Sequence, residues 1–99
     1  MVRKVSFRIR RVYYDKIVSG EKREELRSYT PFWFKRLIYN GQPDVAVFVC
    51  GKDVHRRWIK SVYIDIPEAV LGRPLSPQGM LDLTTESCIV VELGGVYHE

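Results

Sequence analysis

The run Gly20-Glu21-Lys22-Arg23-Glu24-Glu25-Leu26-Arg27 concentrates charge of both signs and contains one apolar residue, Leu26. Burial alone therefore gives no reason for a strand to form there. Along a strand, alternation places Glu25 and Arg27 on one face, able to pair or to flank one ligand, and turns Leu26 toward the core. Lys22 has the opposite parity, but a bulge or loop just after Gly20 lets it turn into the same cleft. A cation, a carboxylate and a guanidinium then converge. Arg offers a planar fork of donors, Lys a mobile point charge, and Glu an acceptor for an amino or hydroxyl group. The trio suits a polar, partly anionic ligand such as a nucleotide. Charges this close perturb one another's protonation, which also suits the trio to proton transfer. The structural alternative is a surface strand with ion pairs worth about 0 to 1 kcal/mol each.

The flanking pattern supplies elements to hold this run. Residues 4–10 alternate, with Val5, Phe7 and Ile9 on one face and Lys4, Ser6, Arg8 and Arg10 on the other, as in a half-buried strand. From Arg11 the period changes: Tyr13 with Ile17 and Tyr14 with Val18 are four apart, and Gly20 marks the stop of a helix of about two turns. After the charged run, Thr30-Pro31 is a helix start and Asn40-Gly41 a stop. Between them Phe34, Leu37 and Ile38 form a docking stripe, with Phe32 and Trp33 as core or pocket residues. Residues 44–50 are nearly continuous in apolar character, as for a central strand covered on both faces. Residues 58–66 alternate and stop at Pro67. Residues 68–86 hold Gly72, Pro74, Pro77 and Gly79, which predicts a loop with short helical turns. Residues 88–93 make a last strand before Gly94-Gly95. Five strands and two short helices predict an α+β domain over residues 1–99, its small mixed sheet curved into a closed or nearly closed barrel.

The 99 residues suffice for one core. At 45% hydrophobic and 28% charged, the composition points to neither disorder nor a membrane protein. The longest apolar run, residues 45–50, is too short to span a bilayer. Arg3 and Lys4 stand before an alternating pattern, so the start does not read as a secretory signal and a cytoplasmic location is expected. Cys50 and Cys88 lack paired metal or redox spacing and read as reduced core thiols, while His55 and His98 have no companion ligands. No metal and no cofactor are expected. The net charge of +4 hides a division: residues 1–60 carry 15 Lys and Arg against 6 Asp and Glu, or +9, and residues 61–99 carry 1 against 6, or −5. A basic half favours an anionic partner, with nucleic acid the commonest.

The pattern G-x-K-x-x-E-x-R, present as Gly20, Lys22, Glu25 and Arg27 right after a short helix, resembles the signature of the ASCH domain, a member of the PUA-like superfamily. All four positions match, and the likeness extends from the opening strand to the strand at 88–93. The resemblance implies a β-barrel flanked by helices, with the motif lining a cleft that binds RNA or a modified nucleobase. Arg8, Arg10 and Arg11 in the opening hairpin, and Lys52, His55, Arg56 and Arg57 between two strands, would then contact phosphates. Tyr13, Tyr14, Tyr29 and Trp33 are candidates for stacking a base. The expected function is nucleic-acid binding, with RNA or a nucleotide as partner. A second reading is enzymatic, because small stand-alone ASCH proteins hydrolyse acylated cytidine nucleosides with a lysine, a threonine and a glutamate. Lys22 matches the lysine, Glu25 stands where the threonine is found, and no motif anchors the third residue. In that reading Lys22 beside Glu25 acts as base or nucleophile. Ribonuclease activity is a variant of it, and a protein-interaction domain is a third reading.

Overall fold

The computed structural model describes residues 1–66 and 87–99. The loop expected at 68–86, with Glu68 and Glu86, lies outside the described residues. Strand β1 (Lys4–Arg8) leads into helix α1 (Arg11–Ser19), followed by β2 (Glu24–Ser28) and α2 (Pro31–Phe34). The chain then forms a wide π-helical turn (Lys35–Tyr39) and the strands β3 (Val45–Cys50), β4 (Asp53–Asp65) and β5 (Cys88–Val96). The strands make one five-stranded mixed sheet in the order β1-β3-β4-β5-β2, curled into half a barrel. β1 runs parallel to β3, and the other neighbours are antiparallel.

The helix signals act as the residue types predict. Gly20 closes α1 in the left-handed region at φ 85°, donating its N–H to the Ile17 carbonyl. The Thr30 side chain accepts from the Trp33 N–H at the start of α2, with Pro31 in the first turn. A nine-residue helix is too short to persist alone in water. α1 is held by burying Tyr14 and Ile17 against the concave face of the sheet. Leu37 does the same from the π-helical turn, with Trp33, Phe34 and Ile38 packed partly around it. Phe7, Phe48, Ile89 and Val91 supply the floor of this core.

Three expectations are corrected. The strand placed at 58–66 begins at Asp53, because Gly51 at φ 60° lets a two-residue turn pair Cys50 directly with Asp53. His55, Arg56 and Arg57 therefore lie within β4 and not in a connection. The last strand runs through Gly94 and Gly95 to Val96, where two register shifts in β4 put Trp58 3.5 Å from any Cβ at Gly94. Leu26 does not face the main core. It shares a face with its partner Val90, while Glu25 and Arg27 oppose Val91 and Ile89 on the concave side. Both sides of β5 are buried, so a charged residue of β2 reaches the interior wherever its charge is matched.

Among the described residues, β1 and β2 are the two edges of the sheet and are not paired to each other. The Arg27 Nη2 group crosses the gap to the Arg8 carbonyl at 3.2 Å. Cys50 is half-buried and Cys88 buried, both as free thiols. No described helix is long and apolar enough to cross a membrane.

Candidate functional site

Glu25 is the centre of the charged run. It is 5% exposed, and both its carboxylate oxygens are engaged. Lys22 Nζ donates to Oε1 at 3.1 Å, while Arg27 donates to Oε2 from Nε at 2.9 Å, with its Nη2 ion-paired to the same oxygen at 2.7 Å. An unmatched buried carboxylate would be prohibitively costly, so the two cations are a condition of its position. Lys22 reaches it because Gly20 turns the chain and the Lys22 N–H is fixed on the Lys16 carbonyl. The same ammonium donates to the Glu24 carbonyl and lies 6.0 Å from the Tyr13 ring. Arg27 lies 5.0 Å from the ring centroids of both Phe7 and Trp33, which shields its contact with Glu25 from water.

Beside this pair is a cleft of about 290 Å³ lined by Gly20, Lys22, Arg23, Arg57, Leu93 and Gly94. Of the expected ligand residues, Gly20 and Lys22 line it, whereas Glu25 and Arg27 are not among the lining residues. The structure thus brings Lys22, Glu25 and Arg27 together, but only the lysine of the three opens onto the hollow. Arg57 enters from β4. Its Nη2 donates to the Ile17 carbonyl at 3.0 Å, its Nη1 to the Gly94 carbonyl at 3.2 Å and its Nε to His55 Nε2 at 3.0 Å. It closes the carbonyl end of α1, where a cation is favoured, from within β4 and not from a turn. His55 accepts that bond as a neutral imidazole. Burial and then the Arg57 charge hold its pKa below the ordinary value.

Arg23 and Gly94 were not expected at the site. The signal for Arg23 was present in the sequence, since residues 23, 25 and 27 share parity, and the Leu93 N–H bonded to the Arg23 carbonyl at 2.8 Å carries the pairing one residue beyond β2. Gly94 is placed by long-range register, for which the sequence has no local signal.

The other basic residues are dispersed. Arg11 pairs with Asp53 at 2.8 Å and with Asp15 at 3.7 Å, and Arg56 lies 3.4 Å from Glu99, which Lys4 also engages. Arg8, Arg10 and Lys52 are exposed. Arg10, Arg11 and Lys52 cluster by the start of α1, whereas the cleft is at its end, roughly 13 Å away for nine residues. Among the stacking candidates, Tyr14 is in the core at 9% exposure and Trp33 is packed on Phe7 with ring centroids 5.2 Å apart. Tyr13 is half-buried, and Tyr29 is exposed with its ring 5.8 Å from Phe34. Among the described residues no three His, Cys, Asp or Glu side chains converge as a metal site would require. Comparison of the chain with protein-family models, with curated proteins and with solved structures finds no match.

Proposed function

We propose that this chain is an ASCH-type, PUA-like domain that binds RNA, taking one nucleotide into the cleft at the end of α1. The observation that carries the reading is the lining of that cleft: its three charged side chains, Lys22, Arg23 and Arg57, are all cationic, and the one nearby buried carboxylate is already neutralised from both sides. Gly20, where an added Cβ would meet nothing within 4 Å, leaves one backbone wall open to close approach. A cytoplasmic location belongs to the same reading. The exposed Arg8, Arg10 and Lys52 would add sequence-independent contacts to the strand outside the cleft.

Binding is favoured over acyl hydrolysis because the Lys22 amine is committed as a donor to Glu25 and to the Glu24 carbonyl, where a base or nucleophile needs a free lone pair. The test is fluorescence anisotropy with labelled single-stranded RNA. Three or four phosphate contacts predict a loss of about 20- to 50-fold in affinity between 50 and 200 mM salt. Lys22→Ala should weaken binding further at each salt concentration. No RNA bound at micromolar protein, or binding indifferent to salt, would contradict the proposal. Acetate released from acetylcytidine by the wild type and not by Lys22→Ala would replace it with the hydrolase reading.

A further inference from the structure

The three cleft cations differ in how they are held, and the difference points to a ligand. Arg57 is fixed by three hydrogen bonds from three of its five N–H groups, leaving two uncommitted. Lys22 is fixed by Glu25 and the Glu24 carbonyl, leaving one of its three donors. Arg23 is exposed and lines the cleft, and among the described residues its guanidinium has no hydrogen-bond or ion-pair partner, which suits it to fold over a ligand there. Two positioned side chains, with three uncommitted N–H groups between them, and one mobile clamp thus line one small space.

Among the described residues, Glu25 is the one acid that engages a cleft cation, through Lys22. Glu25 is shared with Arg27, Glu21 is 3.7 Å from Lys16, and Glu24 and Glu92 oppose each other on the other face of the sheet. Counted over these described residues, Lys22, Arg23, Arg27 and Arg57 against Glu25 give a local charge of +3. Two of the α1 end carbonyls that would repel an anion are occupied: Ile17 O by Gly20 and Arg57, Lys16 O by Lys22 and Ser19. The volume lies at the lower end of the roughly 300–1,000 Å³ range of small-ligand sites, which suits one nucleotide and not a run of several.

We propose that the cleft recognises a phosphomonoester, the terminal phosphate of a nucleotide or of a nucleic-acid end, with Arg23 as its clamp. A phosphomonoester presents three acceptor oxygens and nearly two negative charges at neutral pH. An internal phosphodiester has one charge and two of its oxygens bound to carbon. The first offers one unesterified oxygen to each of the three cationic side chains and nearly twice the charge. The RNA end as source rests on the function proposed above; the phosphomonoester itself does not.

The experiment measures 5′-CMP, cytidine and inorganic phosphate by calorimetry in 150 mM salt at pH 7.5. In parallel, one RNA octamer is measured with a 5′-phosphate, a 3′-phosphate or hydroxyls at both ends. Expected are at least tenfold tighter binding of CMP than of cytidine and at least fivefold tighter binding of one phosphorylated octamer than of the hydroxyl-ended one. Arg23→Ala should abolish both preferences without moving the thermal midpoint, and Arg23→Lys should restore part of them. If all octamers bind equally and CMP does no better than cytidine, the phosphomonoester site is refuted while RNA binding stands. If no octamer binds but CMP outcompetes cytidine, RNA binding is refuted and the site stands as one for mononucleotides. A CMP preference unchanged in Arg23→Ala would overturn the clamp.

Discussion

Glu25 shows how a charge can enter a small core. Its carboxylate contributes little net energy, because desolvation offsets much of the attraction, but its removal strands two cations. Breaking a buried pair in this way costs roughly 3–5 kcal/mol. Lys22 and Arg27 keep 20% and 21% exposure, so Glu25→Ala should lose less, about 2–3 kcal/mol in urea denaturation. A loss under about 0.5 kcal/mol would show that the triad is a surface feature. Glu25→Gln is no rescue, since the amide nitrogen would face a donor. His55 gives the pH counterpart. Its pKa is lowered from 6.5 on folding, so the unfolded chain binds that proton more readily. The contribution is full above about pH 6.5 and is lost as pH falls below it, until the folded imidazole protonates too. Urea midpoints should drop between pH 7.5 and 5.5, and drop less in His55→Gln, whose amide oxygen can still accept from Arg57. Equal drops would contradict the assignment.

At the scale of elements, the end of α1 positions the cleft. A methyl group on the Gly20 Cα would have no other atom within 4 Å, so Gly20→Ala meets no clash and its cost is purely conformational, about 1–2 kcal/mol for a left-handed residue. Gly20→Asn should recover part of this in the same denaturation assay; an equal penalty would mean that contact, not φ, governs the site. The helix ends were legible because Gly20, Thr30 and Pro31 act locally. The face of β2 was not. Alternation correctly placed Glu25 with Arg27, but hydrophobicity assigned Leu26 to the core, and the choice between faces was decided by a β5 buried on both sides. The start of β4 was hidden for a related reason. His55 and Arg57 read as a basic loop, yet each is matched to the other inside the sheet, and Arg57 also to carbonyls 37 and 40 positions away.

Over the whole molecule, the half-barrel gathers charges that are scattered in sequence. Residues 1–60 carry +9, but Arg11 and Arg56 are engaged by Asp53 and Glu99, so the net charge overstates the surface open to a polyanion. The sheet order leaves β1 and β2 as edges, and Arg27 spans them through Glu25 on one side and the Arg8 carbonyl on the other. The strand count and mixed sheet were legible from alternation and breakers. The seam was not, since it rests on one guanidinium meeting a strand 19 positions earlier. In the proposed function, ligand enters at the cleft at the end of α1. Backbone amide NMR during titration with a short 5′-phosphorylated RNA tests it most directly. The largest shifts are expected at Gly20, Lys22, Arg23 and Gly94. Shifts confined to the Arg10, Arg11 and Lys52 end of the helix, with those four amides unmoved, would contradict it.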